Sequence, residues 1–448
     1  MEIMLRRFSD LLIEPHGSIE KKNMVWNVSG SFVYAFASIL LSVAVMRIAG
    51  DEIGGIFAFG YSTFGQQMFT VSYYGIRPFQ ITDGKGEYSF GDYLGHRFLT
   101  SSLAVLIAAS YLLWAAATGT YTAAKGLAVF LLALYKIIDG FADVYESEFQ
   151  RRGCLYLTGK SNTFRTILSV CVFTGVLLMT SGRTEGEFSL VAACFAAVLA
   201  QILGVVLFNL SVIGRLPGVI WKRERGQIKR LFGQTTLLFL SVFLDFYIFS
   251  AAKYAIDGNL TDAASGYFNL IFMPTSVIYL VANFVIRPFL TRLTVLWAEE
   301  RFSDFGRLIG KIAAMIGGLT VLAVGGTVVL GKWVLGIMEM VLGAGYEGAL
   351  TRYHAAFVLI VLGGGFYAMG NLMYYALVIM RCQKRIFSVY AGVTVIAIFL
   401  APAMVTRWEI LGAAGAYLCF MILLMGGFSL HGIWTYWKEK RKRGDREQ

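Results

Sequence analysis

The sequence contains few of the residues that build catalytic and metal-binding sites. Its 448 residues include only 4 histidines and 5 cysteines, and the cysteines show no pairing pattern. It has no GxxxxGK[ST] phosphate loop, no HExxH motif and no cysteine–histidine cluster with metal-ligand spacing. These absences argue against ATP hydrolysis, a zinc site and a disulfide-held fold. We therefore expect a protein that is not an enzyme and has no cofactor and no bound metal.

Charged residues are also scarce. They make up 15% of the chain against 57% hydrophobic residues, and the mean hydropathy is +0.64, which excludes an ordinary soluble domain. A membrane-spanning helix takes about 20 apolar residues. We predict twelve, at 24–48, 54–81, 97–117, 124–146, 162–181, 188–213, 233–256, 264–290, 308–330, 354–380, 386–405 and 410–436. A weakly apolar run at 333–342 is too short to span and is predicted as an interfacial helix.

The net charge of +11 is unevenly distributed. If the N-terminus is inside, the predicted inner segments carry 31 of the 39 lysines and arginines. This bias follows the positive-inside rule and places both termini in the cytoplasm. The basic residues then act mostly as topology anchors, with contact to anionic membrane lipids as a second interpretation. No nucleic-acid partner is expected.

The two halves of the chain share a repeated pattern. The Arg-Pro-Phe motif at 77–79 recurs at 287–289, and matching segments lie upstream at 55–57 and 266–268 and downstream at 90–93 and 302–305. Paired units are how transporters build a central site. The predicted fold is an all-α polytopic membrane protein with two pseudo-symmetric six-helix lobes. Its parts are an amphipathic N-terminal segment (1–23), an N-lobe (24–213), a basic cytoplasmic linker (214–232), a C-lobe (233–436) and a basic tail (437–448).

Each half carries a polar helix face that ends in an arginine. Gln66, Tyr73 and Arg77 share one face of the second span, and Asn283 and Arg287 share one face of the eighth. If the lobes face each other, these five predicted substrate-binding residues line one cavity with its cations towards the cytoplasm. The alternative is that both arginines only snorkel at the inner interface as topology anchors.

Ionisable groups inside the membrane are costly and therefore mark candidate sites. The fourth span carries Lys136, Asp139, Asp143 and Glu146 on one face. We predict that Asp139 and Asp143 bind a coupling proton or cation; the alternative is an internal salt-bridge ladder. Asp245, in the middle of the seventh span, is a third predicted ion-coupling residue, because a lone carboxylate at that depth needs a cation, a proton or a water-filled cavity.

Several segments resemble a known family. They are the first two spans from 26–27 to 54–57, the segment 75–83, the Gln-Arg-Arg turn at 150–152 and the Gly-x-Gly-Tyr at 343–346. The segment 75–83 is similar to an arginine–aromatic–Gln-x-x-Asp pattern, although Pro78 occupies an internal position. On these residues the chain resembles the polysaccharide (oligosaccharidyl-lipid) flippases of the multidrug/oligosaccharidyl-lipid/polysaccharide exporter (MOP) superfamily. The resemblance covers the full length and implies a MATE-like fold.

The resemblance implies a flippase that moves undecaprenyl-pyrophosphate-linked oligosaccharide across the bacterial cytoplasmic membrane for surface polysaccharide synthesis. Arg77 and Arg287 would then capture the pyrophosphate, and the other polar residues would contact phosphate or sugar. The implied partners are the lipid-linked oligosaccharide, membrane lipids, a proton or sodium gradient, and a polysaccharide polymerase with its glycosyltransferases.

Two other functions stay open. An ion-coupled multidrug antiporter of the MATE type would share the fold, but it should favour a more acidic or aromatic cavity. A membrane glycosyltransferase or ligase would need an acidic catalytic site outside, and the short outer loops hold no carboxylate-rich domain.

Overall fold

The computed structural model describes residues 9, 12–13, 18–83, 86–183, 186–224 and 226–447. The side chains at 276, 279–280, 283–284, 287 and 442–447 are outside this description, and so is most of the predicted N-terminal amphipathic segment. Helix accounts for almost all described residues. The chain forms two compact units, residues 1–243 and 244–448.

The helices of the first unit follow one another with short turns. They are α1 (Ile19–Ala49), α2 (Asp51–Phe59, a π-helical turn at Gly60–Phe64, then Gly65–Tyr73), α3 (Arg77–Thr82), α4 (Phe90–Ala117), α5 (Ala123–Arg151), α6 (Leu155–Thr180) and α7 (Gly186–Val205, a π-helical turn at Val206–Leu210, then Ser211–Ile213). The first half of α8 (Gln227–Asn259) also belongs here, because Tyr74 stacks on Phe239 with ring centroids 4.0 Å apart.

Side-chain caps fix the starts of α1, α4 and α5. Ser18 and Thr122 each accept a hydrogen bond from the backbone N–H three residues on. Ser89 and Asp92 form a reciprocal capping box. Such caps satisfy backbone donors that have no partner within the helix, and each is worth about 1 kcal/mol. The cap at Ser89 fixes the start of α4 about two turns before Arg97, a residue of the candidate site.

Helix α5 lies at the centre of the first unit. It packs against α2, α4, α6 and α7, and most of its residues are buried, including every charged one except Arg151. A helix surrounded by apolar neighbours is expected to be hydrophobic all round. The buried charges of α5 therefore mark the candidate site.

The second unit contains the rest of α8, then α9 (Asp262–Phe272), α10 (Pro274–Ala298), α11 (Phe302–Leu342), α12 (His354–Ile379) and α13 (Gln383–Glu447). α13 is sharply broken at Trp408 and Glu409, so it forms two rods. The prediction of an interfacial helix at 333–342 is wrong, since this run continues α11 without a break. The physical reason is that residues 302–342 contain no proline to end the helix.

Among the described residues, eight helical segments are long and apolar enough to cross a membrane. The last of them contains both rods of α13. The three other predicted spans, α2, α5 and α9–α10, are helical as well, but α5 is rich in charge and the other two are interrupted. Every predicted span thus falls on helix, and the chain is an all-α polytopic membrane protein.

Candidate functional site

Seven charged side chains from α3 to α6 meet inside the first unit. They are Arg77, Arg97, Lys136, Asp139, Asp143, Glu146 and Arg165, and we call them the buried charge network. Six of them are buried; the exposed fraction of the Arg77 side chain is 24%, against 0% for Arg97 and 2% for Arg165. Charges in such surroundings are stable only when they are paired and hydrogen-bonded.

Asp143 joins two arginines. Its Oδ1 accepts a hydrogen bond from Nη1 of Arg77 at 2.5 Å, and its Oδ2 accepts one from Nη2 of Arg97 at 2.9 Å. The hydroxyl of Ser147 donates to the same Oδ2 at 3.2 Å. The carboxylate is thus neutralised from two helices, α3 and α4. Gln150 accepts a further hydrogen bond from Nη2 of Arg77 at 2.9 Å.

Arg165 binds the two other carboxylates. Its Nη2 lies 2.5 Å from Oδ1 of Asp139 and 3.2 Å from Oε1 of Glu146. Its Nη1 lies 3.4 Å from Oδ1 of Asn209, a residue of the π-helical turn in α7. Glu146 is also 4.0 Å from Nη1 of Arg77. Both predicted ion-coupling residues of α5, Asp139 and Asp143, are therefore paired with arginine in this structure.

Lys136 reaches Asp139 through a tyrosine. The Lys136 ammonium donates to the Tyr34 hydroxyl at 3.0 Å, and that hydroxyl donates to Oδ2 of Asp139 at 3.0 Å. The ammonium also lies 3.9 Å from the centroid of the Tyr61 ring, a distance at which the ring face attracts a cation. Helices α1 and α2 thereby stabilise a charge carried by α5.

The backbone breaks immediately before Arg77. Tyr74 (φ +52°) and Gly75 (φ +65°) adopt the left-handed region and end α2. This conformation is ordinary for glycine but strained for tyrosine. The break leaves the Ser72 carbonyl outside the helical pattern, and it accepts a hydrogen bond from Nη1 of Arg97 at 3.0 Å. Arg77 begins a new short helix, α3.

The two Arg-Pro-Phe copies differ in local structure. Helix α10 continues through Pro288, whereas the first copy opens α3. Asn283 and Arg287 lie on α10, but their side chains are outside the described residues. Gln66 and Tyr73 lie two turns apart on α2, and both are partly exposed. The Tyr73 ring faces the Arg97 guanidinium at 5.3 Å, so Tyr73 borders the buried charge network.

In the second unit, Asp245 is held by tyrosines. Its Oδ2 accepts a hydrogen bond from the Tyr367 hydroxyl at 3.1 Å, and Tyr390 also hydrogen-bonds to this carboxylate. A carboxylate with such partners has lone pairs left to take a proton or a small cation. Within the part of the chain that the structure describes, no group of three or more His, Cys, Asp or Glu side chains could hold a metal ion.

Three residues of the candidate site were not predicted from the sequence: Arg97, Arg165 and Tyr34. The two arginines carry no motif, and a count of loop charges includes them as topology anchors. Only their positions in the sequence could have indicated a role in the site, since Arg165 lies inside the predicted span 162–181 and Arg97 begins the span 97–117. Nothing in the sequence indicated a role for Tyr34, because tyrosines are common in membrane helices near the interface.

No family model and no curated protein sequence matches this chain. Solved structures do match. An inward-facing multidrug resistance MATE family transporter of the MOP superfamily aligns with 98% of this chain and 99% of its own, at 12% identity and a TM-score of 0.60. The lipid II flippase MurJ, in an inward closed conformation, aligns with 93% of this chain and 90% of its own, at 11% identity and a TM-score of 0.63.

A MOP superfamily transporter from Pyrococcus furiosus aligns with 96% of this chain and 97% of its own, at 11% identity and a TM-score of 0.51. At these identities the likeness concerns the fold alone. The chain has the fold that MATE transporters and a lipid II flippase of known structure share.

Proposed function

We propose that this protein is an alternating-access flippase that moves undecaprenyl-pyrophosphate-linked oligosaccharide from the inner to the outer leaflet of a bacterial cytoplasmic membrane, for surface polysaccharide synthesis. The observation that carries the proposal is the side chain of Arg77, which is 24% exposed at the edge of the buried charge network. That network has four cations and three carboxylates, so it has one positive charge in excess when all are ionised. A pyrophosphate headgroup does not cross hydrocarbon unaided, and arginine binds phosphate oxygens through its planar fork.

In this proposal Arg77 and Arg287 bind the pyrophosphate, while Gln66, Tyr73 and Asn283 contact phosphate or sugar. The position of Tyr73 beside Arg97 supports its part in this group. The fold likeness to a lipid II flippase is a second support. Both termini are cytoplasmic, glycosyltransferases supply the substrate, and a polymerase consumes it outside.

An ion gradient drives the proposed cycle. Asp245, Asp139 and Asp143 are the residues that respond to protons or sodium. Asp245 is held by tyrosine hydroxyls, whereas the two α5 carboxylates are paired with arginines.

A second candidate is an ion-coupled multidrug antiporter of the MATE type. The fold supports it equally, and the acidic, aromatic surroundings of Asp245 suit an organic cation. The one positive charge in excess in the buried charge network is the observation that makes us prefer an anionic substrate.

The test is the leaflet distribution of lipid-linked oligosaccharide after depletion of this protein. We expect accumulation in the inner leaflet, loss of surface glycan, and rescue by wild type and by Arg301→Ala, an exposed arginine on a helix end. Arg77→Ala and Arg287→Ala together should not rescue, at equal protein abundance. Unchanged lipid-linked glycan together with altered drug tolerance would instead establish the antiporter.

A further inference from the structure

Arg77 differs from the other guanidiniums of the buried charge network because it can leave without exposing an unpaired charge. Asp143 would keep Arg97 at 2.9 Å and the Ser147 hydroxyl at 3.2 Å. Glu146 would keep Arg165 at 3.2 Å. Loss of one partner from a buried ion pair is costly mainly when the other charge is left alone, and here neither carboxylate is.

The charge balance of the buried charge network points the same way. Without Arg77 it contains the cations Arg97, Lys136 and Arg165 and the three carboxylates of α5, so it is neutral when all six are ionised. The network therefore tolerates the loss of one cation, and the side chain of Arg77 is the most exposed of its three arginine side chains. A residue with these two properties suits an exchange of partners with an incoming anion.

The local backbone supports such an exchange. Arg77 is the first residue of the six-residue helix α3 and is separated from α2 by the left-handed residues 74 and 75. Its guanidinium position is therefore set mainly by its partners, which are Asp143, Glu146 and Gln150. Reorientation of Arg77 does not require α2 or α5 to unwind.

We propose that Asp143 and Glu146 compete with the pyrophosphate of the substrate for Arg77. The guanidinium is bound by these carboxylates when no substrate is present and by the pyrophosphate when the substrate binds. We call the two carboxylates the internal competitor. The inference rests on the proposed function, because it needs an anionic headgroup at Arg77. Binding begins when the phosphate oxygens replace Asp143 on Arg77. Release is completed when the carboxylates take the guanidinium back. The two carboxylates thus weaken binding and speed product release.

The experiment measures binding of farnesyl pyrophosphate to the full-length protein in lipid nanodiscs by calorimetry. Asp143→Asn and Glu146→Gln each remove one competing charge, and we expect each to tighten binding about tenfold, a usual size for coupling between two ligands. Gln150→Glu adds a third carboxylate beside Arg77 and should weaken binding by a similar factor. Because it removes no ion pair, this variant tests the inference even if the neutralised variants fold poorly.

The matched control is Glu148→Gln, which neutralises a buried carboxylate of α5 that is paired with Arg151 and Arg152. It should leave the affinity unchanged. In a flipping assay with lipid-linked oligosaccharide, Asp143→Asn should lower both KM and kcat, because tighter binding delays release. A purely structural role for Asp143 would lower kcat without lowering KM.

The outcomes separate the two proposals. If wild type binds the probe, Arg77→Ala abolishes binding, and Asp143→Asn and Gln150→Glu shift the affinity in opposite directions, the competitor is established. If Arg77→Ala abolishes binding but neither of the other variants shifts the affinity, the competitor is overturned and the flippase site stands. If wild type does not bind, or binds as well without Arg77, both the competitor and the proposed substrate site fail.

Discussion

The Nη2 atom of Arg165 lies 2.5 Å from Oδ1 of Asp139, and only 2% and 8% of these two side chains are exposed. The pair joins α6 to the central helix α5. A buried ion pair adds little net stability when intact, but its disruption leaves a charge in apolar surroundings. Arg165 is in this sense the fixed cation of the buried charge network, and Arg77 is the exposed one.

Replacement of Arg165 by methionine should therefore destabilise the protein strongly. Arg165→Met leaves Asp139 and Glu146 without their shared guanidinium, and the expected loss in free energy of unfolding is about 3–5 kcal/mol. Denaturant unfolding of the purified protein in detergent measures it.

Arg301→Met, at an exposed arginine, is the control and should unfold like wild type. A double variant, Arg165→Met with Asp139→Asn, should be more stable than the single one; equal stability of Arg165→Met and the control would contradict the assignment.

The Tyr34 hydroxyl should stabilise the folded protein measurably, because it joins Lys136 to Asp139. Tyr34→Phe removes this link, although the buried ammonium keeps its contact with the Tyr61 ring. We expect a loss of about 1–3 kcal/mol in the free energy of unfolding, measured as for Arg165. Tyr247→Phe, at a partly exposed tyrosine of α8, controls for removal of a hydroxyl. A loss no larger than that of the control would show that the link is not energetically important.

Gly91 holds the basic linker against the N-terminal end of α4. Its N–H donates to the Ile220 carbonyl at 3.1 Å, Arg152 donates to the Gly218 carbonyl at 2.7 Å, and a Cβ at Gly91 would overlap the Trp221 carbonyl. Gly91→Ala should strain this contact by about 1–3 kcal/mol and raise the opened population of the linker about tenfold.

Limited trypsin digestion at the exposed residues 222–223 measures that opening. The control is Gly126→Ala in α5, where an added Cβ would meet no described atom within 4 Å, and which should be cleaved at the wild-type rate. Equal cleavage of both variants would mean that the linker is held by other contacts.

Most spans could be predicted from the sequence because apolar length decides them, and each predicted span falls largely on helix. The prediction of an interfacial helix at 333–342 is wrong for a physical reason. Apolar character shows where a helix can meet lipid, but it does not show where a helix ends, and α11 continues for 41 residues.

The candidate site was predictable only in part. The charges of α5 stand out because ionisable residues inside a span are rare. Their partners do not, since Arg97 and Arg165 lie 46 and 26 residues from the carboxylates they bind. Pairing over such distances depends on how the helices pack. The break before Arg77 was not predicted either, because Tyr74 is not a residue type that favours the left-handed region.

Asp245 provides the test of ion coupling. Its carboxylate accepts from Tyr367, and we propose that it takes up a proton or sodium ion during the transport cycle. Asp245→Asn keeps the shape and a hydrogen-bond acceptor but cannot carry the charge change, so transport should lose its dependence on an ion gradient. In proteoliposomes with a labelled lipid-linked oligosaccharide, wild type should flip faster with an imposed gradient than without it, and in Asp245→Asn the two rates should be equal. Asp304→Asn, at an exposed carboxylate, should keep the wild-type ratio of flipping rates with and without the gradient.

Tyr367→Phe should give an intermediate ratio, because the Asp245 carboxylate keeps its hydrogen bond with Tyr390. A wild-type ratio in Asp245→Asn would place coupling on another residue, with Asp143 the first to examine.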